Sequence, residues 1–188
     1  MTVQTANTQP FLTDVQELRR RARESIEKGA VTSSYGLPAA QTIEILQSAV
    51  ATEIVCVLRY KMHAVAARGI EFSEARDEFE QHANDELAHL NLLADRINQL
   101  GGIPDMNPAG LLTRSHTEYG NATKLVDMIK ENLIAERIAI DSYTAMIRFF
   151  SDKDITTRTM LEGILKDEED HANDMQDLLA VFEARSTK

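Results

Sequence analysis

Apolar residues recur at three- and four-residue spacing in four long stretches, roughly 39–68, 72–100, 122–151 and 154–184. That is the period of a helix burying one face. In the third stretch Ile129, Leu133, Ile140, Tyr143 and Ile147 form one stripe once position 136 is included. In the fourth, Leu161, Leu165, Met175, Leu178 and Phe182 do the same around positions 168 and 171. All four prolines and seven of the eight glycines fall outside these stretches, and only Gly163 interrupts one. Sustained β-branched alternation is missing. At ~1.5 Å per residue each helix is about 45 Å long, a length normal for a four-helix bundle. The pattern predicts an all-α fold.

The connections differ in kind. Residues 68–71 and 151–154 read as tight turns, which pair the first helix with the second and the third with the fourth as hairpins. Between the hairpins lie the 21 residues Gly101 to Asn121, with two prolines and four glycines. Bundle connections usually take roughly two to eight residues, so this one reads as a long crossover with a helical turn near Ala109–Arg114. Ahead of the bundle, Phe11–Lys28 reads as an extra amphipathic helix with Leu12, Val15, Leu18, Ala22 and Ile26 on one face. It ends at Gly29, and residues 33–38 follow as a linker. The expected organisation is a tail and helix over 1–38 and a bundle domain over 39–185.

Thirty acidic against twenty basic side chains leave a net charge of −10. This favours cations as partners over nucleic acid or a membrane surface. The Arg19-Arg20-Arg21-Ala22-Arg23 cluster suggests a nucleic-acid patch, but Asp14, Glu17, Glu24 and Glu27 nearly cancel it. A solvated helix face or subunit contact is the expected reading. No apolar run approaches the ~20 residues of a membrane span. Residues 1–10 carry no Lys or Arg of a secretory signal, and a cytoplasmic address is expected. With Cys56 as the single cysteine, there is no intrachain disulfide, zinc ribbon or CxxC pair.

Two Glu-x-x-His steps stand out, Glu86-Leu87-Ala88-His89 and Glu168-Glu169-Asp170-His171. Seventeen Glu and five His would produce about 0.5 such steps by chance. In each step the Glu and His project from one helix face. The partner helix of each hairpin adds a glutamate inside its apolar stripe, Glu53 and Glu136. Glu53 and Glu86 are 33 residues apart with their midpoint in the first turn, and Glu136 and Glu168 are 32 apart with theirs in the second. Residues equidistant from an antiparallel turn share one height, so each hairpin should bring a Glu and a Glu-x-x-His to its middle. Four ionised carboxylates inside a bundle repel one another and lose their hydration. Two divalent cations would balance them, with two neutral imidazoles completing the set. Such a set belongs to di-iron and di-manganese carboxylate bundles, and zinc could occupy it in vitro.

Other residues carry weaker signals. Tyr60 and Tyr143, each seven residues after a stripe glutamate, are either packing or carboxylate-holding hydroxyls. Asp85 and Asp167, each preceding the Glu of a Glu-x-x-His step, either orient an imidazole or sit exposed. His82 reads as a satisfied, partly buried histidine, the alternative being a lining of the path to the site. His63 and His116 read as surface or interface residues, and Cys56 as a small core residue near the site.

Over residues ~39–184 the pattern Glu53…Glu86-x-x-His89…Glu136…Glu168-x-x-His171 resembles the ferritin-like proteins. It is similar to the bacterioferritin ferroxidase centre formed within one subunit. The resemblance implies that Glu86 and Glu168 bridge two irons, with Glu53 and His89 on one and Glu136 and His171 on the other. Bacterioferritins place a haem-ligating methionine after the Glu of the first Glu-x-x-His. Leu87 stands there in this chain, so no haem is expected. The 17 residues after His171 leave no room for the bacterioferritin fifth helix. The N-terminal helix and the crossover turn look more like Dps-like miniferritins with a bacterioferritin-type site. Those form 12-subunit cages, and some carry a cysteine pair where this chain has Cys56 alone. The implied function is iron storage and detoxification, by oxidation of Fe²⁺ with peroxide or dioxygen. The alternative is a di-iron oxygenase or peroxidase acting on a small substrate. Apolar Ile54, Val55 and Leu58 beside the core stripe suit subunit assembly and favour storage.

Overall fold

An apolar stripe along a helix needs a partner stripe, and the four long helices supply them to one another. The computed structural model describes residues 14–69 and 72–186. These hold six α-helices and no strand: α1 (Val15–Arg21), α2 (Ala39–Ala66), α3 (Ser73–Gln99), α4 (Leu111–Arg114), α5 (Leu125–Phe150) and α6 (Ile155–Ser186). Helices α2 and α3 form one hairpin, α5 and α6 the other. Side-chain pairs between hairpins give their sense. Tyr60 meets Glu136 and Glu53 meets Tyr143, so α2 runs antiparallel to α5. His89 meets Asp167 and Asp85 meets His171, so α3 runs antiparallel to α6. Helices α3 and α5 are therefore parallel, and their connection must return along the full bundle.

The crossover does so along α2. Gln47 holds the Ile103 carbonyl and the Asp105 amide, Thr52 accepts from the His116 amide, and Arg59 reaches Thr117 and the Glu118 carbonyl. The expected helical turn is α4, whose Leu111 packs on Ala51 and Val55. Val55 is thus buried by the crossover rather than offered for assembly, while Ile54 is half-buried and Leu58 exposed. His63 is likewise not at the surface. It is fully buried with Nδ1 3.2 Å from Asn132 Oδ1, the same oxygen that Arg59 Nε contacts at 2.9 Å. His116 is exposed as expected.

Two turns join the hairpins. Gly69 adopts φ 110° after α2, and residues 70 and 71 of that turn lie outside the described set. At the other turn Asp154 is buried and caps α6, accepting from the Thr157 amide at 2.9 Å. It also accepts from Arg96 of α3 at 2.9 Å and from the Tyr35 hydroxyl at 2.6 Å. This one carboxylate ties α3, α6 and the linker together. Gly36 allows the linker this close, since a Cβ there would stand 2.7 Å from the Lys153 carbonyl oxygen.

The N-terminal helix is shorter than the pattern predicts. After α1 the helix ends, and a 3₁₀ turn at Ile26–Lys28 follows Ser25, whose φ is 49°. The physical reason is missing support. Val15, Leu18 and Ile26 are 53%, 50% and 75% exposed, and a short helix without a buried face is marginal. Phe11 and Leu12 lie outside the described residues.

Among the described helices, α2 is long and apolar enough to cross a membrane. Here it is a core helix, with Glu53, Arg59, Tyr60 and His63 buried along it. Besides the small cluster around Leu111, the core of the described residues has two larger apolar clusters. Leu46, Val50, Leu93, Ile97, Phe150 and Leu161 anchor one, and Phe79, Met128, Ile129 and Met175 anchor the other. The waist between them is polar.

Candidate metal centre

The waist is where the matched spacings meet. Glu53 and Glu136 come from the stripes of α2 and α5, Glu86 and His89 from α3, Glu168 and His171 from α6. All six are buried. They form two overlapping groups, Glu53–Glu86–His89–Glu168 and Glu86–Glu136–Glu168–His171. In each group the donor atoms lie within 4.8 Å of one another. Glu86 and Glu168 belong to both.

Both imidazoles turn Nδ1 inward. His89 Nδ1 is 3.2 Å from Glu86 and 3.2 Å from Glu168, while His171 Nδ1 is 3.7 Å from Glu168 and 4.0 Å from Glu86. Both turn Nε2 outward to a partly exposed aspartate of the opposite hairpin. The distances are 3.4 Å from His89 to Asp167 and 3.5 Å from His171 to Asp85. The tyrosines cross in the same way, the Tyr60 hydroxyl donating to Glu136 and the Tyr143 hydroxyl to Glu53. Every group that holds a central side chain from outside therefore comes from the other hairpin. The orienting alternative holds for both aspartates, and the carboxylate-holding alternative for both tyrosines.

The electrostatics match burial. Desolvation, then repulsion between carboxylates, lifts Glu53 and Glu136 well above the usual range and Glu86 to about 8. Glu168 is also buried, but the His171 and His89 imidazoles, whose Nδ1 atoms stand 3.7 Å and 3.2 Å from it, hold it at about 2. For His89, burial opposes the charge, yet Glu168 and Glu86 outweigh it and raise the imidazole to about 12. Protons thus neutralise the waist where cations could do so instead. The polar atoms left over point the same way. Glu53 Oε2, Glu86 Oε1, Glu136 Oε2, both Glu168 oxygens and His171 Nδ1 are buried without a hydrogen-bond partner. Donors ~2.0–2.2 Å from a common cation stand about 3–3.5 Å apart, as the His89 contacts do. The donor set fits two divalent cations.

His82 is more deeply placed than expected, fully buried with its ring stacked on His171 at 4.0 Å. Desolvation and the neighbouring His171 lower it to about 3. Cys56 is buried three residues from Glu53, and burial pushes its thiol well up. The sequence reading passed over Glu78 and Asp174, whose carboxylates face the outer edge of His82. Their signal was a position four residues before His82 and three after His171. It also passed over Asn132, which joins Arg59 to His63 behind the waist.

A helical bundle with paired carboxylate–histidine groups across its waist defines a broad class of architecture. Within it, this chain belongs to the ferritin-like family, whose ferritin-like domain matches residues 43–184. It is 31% identical over 145 residues to the nutrient stress-induced DNA-binding protein of Synechococcus sp., covering 74% of this chain and 81% of that one. It is 26% identical over 144 residues to the bacterioferritin of Streptomyces coelicolor, covering 76% and 82%. Among solved structures, the dodecameric thioferritin of Bacteroides fragilis, a bacterioferritin-related protein, superposes with a TM-score of 0.76. The identity there is 30%, over 81% of this chain and 92% of that one.

Proposed function

We propose that this protein is an iron-storage ferroxidase, binding Fe²⁺ as substrate at the waist. The observation carrying this reading is the pair of ligand groups sharing Glu86 and Glu168. Glu53 and His89 would hold one cation, Glu136 and His171 the other, with the two shared glutamates bridging. A ferrous pair supplies two electrons to one molecule of peroxide or dioxygen. The chain's own part is positioning. Tyr143 and Tyr60 fix Glu53 and Glu136, while Asp167 and Asp85 keep each imidazole's Nδ1 turned inward.

The bacterioferritin and thioferritin relatives support storage over oxygenase or peroxidase chemistry on a small substrate, and the dodecameric relative supports a 12-subunit cage. The Synechococcus relative's name includes DNA binding, but Arg20 and Arg21 of this chain are engaged by Glu17 and Glu24. That cluster does not serve nucleic acid in this reading. The test is stopped-flow Fe²⁺ oxidation with peroxide and with dioxygen. Glu86→Ala and Glu168→Ala should each slow it roughly 100-fold or more, with particle size kept. Wild-type rates in both variants would place the chemistry elsewhere, for instance at a subunit interface.

A further inference from the structure

His82 lies between the paired centre and the outer edge of the α3–α6 face, and the surroundings of its two nitrogens differ. Tyr60 gives its one hydroxyl proton to Glu136. His82 Nδ1, 3.1 Å from the phenol oxygen, is therefore the donor in that contact. A neutral imidazole protonated on Nδ1 carries its lone pair on Nε2. This Nε2 is buried and has no hydrogen-bond partner. It faces two carboxylate oxygens instead, Glu78 Oε1 at 3.1 Å and Asp174 Oδ2 at 3.5 Å. A buried lone pair turned toward two anionic oxygens is repulsive unless a cation lies among them. The separations match donors ~2.0–2.2 Å from one ion, about 3–3.5 Å from each other. The three donor atoms lie within 4.8 Å of one another.

The set is graded from outside to inside. Asp174 is exposed, Glu78 half-buried and His82 fully buried. On its inner side, His82, Glu136 and His171 again bring donor atoms within 4.8 Å of one another. Ligand atoms thus continue without a gap from solvent to the waist.

We propose that Glu78, His82 and Asp174 form a third divalent-cation site in each subunit, outside the paired centre and passing cations inward to it. The site stands on its own donors, while its passing role rests on the function proposed above. The test uses the full-length protein as wild type and as the Glu78→Gln/Asp174→Asn variant, which changes only carboxylates in contact with solvent. Crystals soaked in Mn²⁺ or Zn²⁺ should show three anomalous peaks per subunit in the wild type. The variant should lose the peak beside His82 and keep the other two. Its Fe²⁺ concentration for half-maximal oxidation should rise about tenfold. No peak beside His82 while the waist is filled, or an unchanged metal count in the variant, overturns the site. An unchanged half-saturating concentration overturns the passing role. A peak beside His82 with an empty waist upholds this site and sinks the ferroxidase reading instead.

Discussion

Four glutamates of one type occupy a single layer, yet their neighbours give them different protonation. Glu53, Glu86 and Glu136 keep their protons because burial and mutual repulsion oppose the charge. Glu168 loses its proton because two imidazoles stand against it. The sign of the pH dependence follows. An acid raised from 4.5 to about 8, as Glu86 is, stabilises the fold below pH 4.5, a contribution lost as pH rises to 8. His89, raised from 6.5 to about 12, adds a loss of the same sign above pH 6.5. Glu168 acts oppositely, but only as pH falls from 4.5 to about 2. His82, lowered from 6.5 to about 3, also acts oppositely, but only below pH 6.5. In chelator, the urea midpoint should therefore fall from pH 6.5 to pH 8, and saturating Zn²⁺ should flatten that slope. A separate expectation concerns Tyr143, which holds Glu53. Tyr143→Phe should weaken metal binding about 10- to 100-fold with the fold intact, as read by Zn²⁺ calorimetry and circular dichroism. At this scale the six central residues were legible because Glu and His at helical spacing inside apolar stripes are out of place. The crossed partnership of tyrosines and aspartates was only half legible, since spacing gives a height on one helix but not the helix opposite.

Among the elements, periodicity was informative wherever a helix has something to bury against. The four bundle helices fall within a few residues of their expected ends, and the crossover turn lies where expected. The segment before Gly29 shows the converse: Leu18 and Ile26 have the right spacing, but no surface covers them, so the pattern overstates the helix. Val55 and His63 were misplaced because the crossover's course along α2 cannot be read from its own composition. The junction at Asp154 was equally hidden, being built from Tyr35, Arg96 and Thr157, which are far apart in sequence. Its strength is testable. Arg96→Leu leaves the buried Asp154 carboxylate without its cation, which typically costs about 3–5 kcal/mol. Urea unfolding of the variant should show that loss, and a change under 1 kcal/mol would mean that the junction carries little of the stability.

For the whole molecule, assembly is the open scale. Ile54, Leu58, Leu87, Leu92 and Ile134 leave apolar surface on several helices, as subunits that associate would. With a 21.0 kDa chain, twelve copies make a particle of about 250 kDa with closed symmetry. Sedimentation should find that particle at micromolar concentration, and a monomer would refute the cage. One further consequence lies in the crossing of the two hairpins. Tyrosine and aspartate of each hairpin clamp the glutamate and histidine of the other, so neither hairpin alone contains a finished waist. Capture of a cation at the waist would thus certify completed folding. A growing chain that has made only its first hairpin carries scattered carboxylates and no paired site. On the function proposed above, iron oxidation would wait until the second hairpin has docked, and a half-made chain would be spared the oxidants.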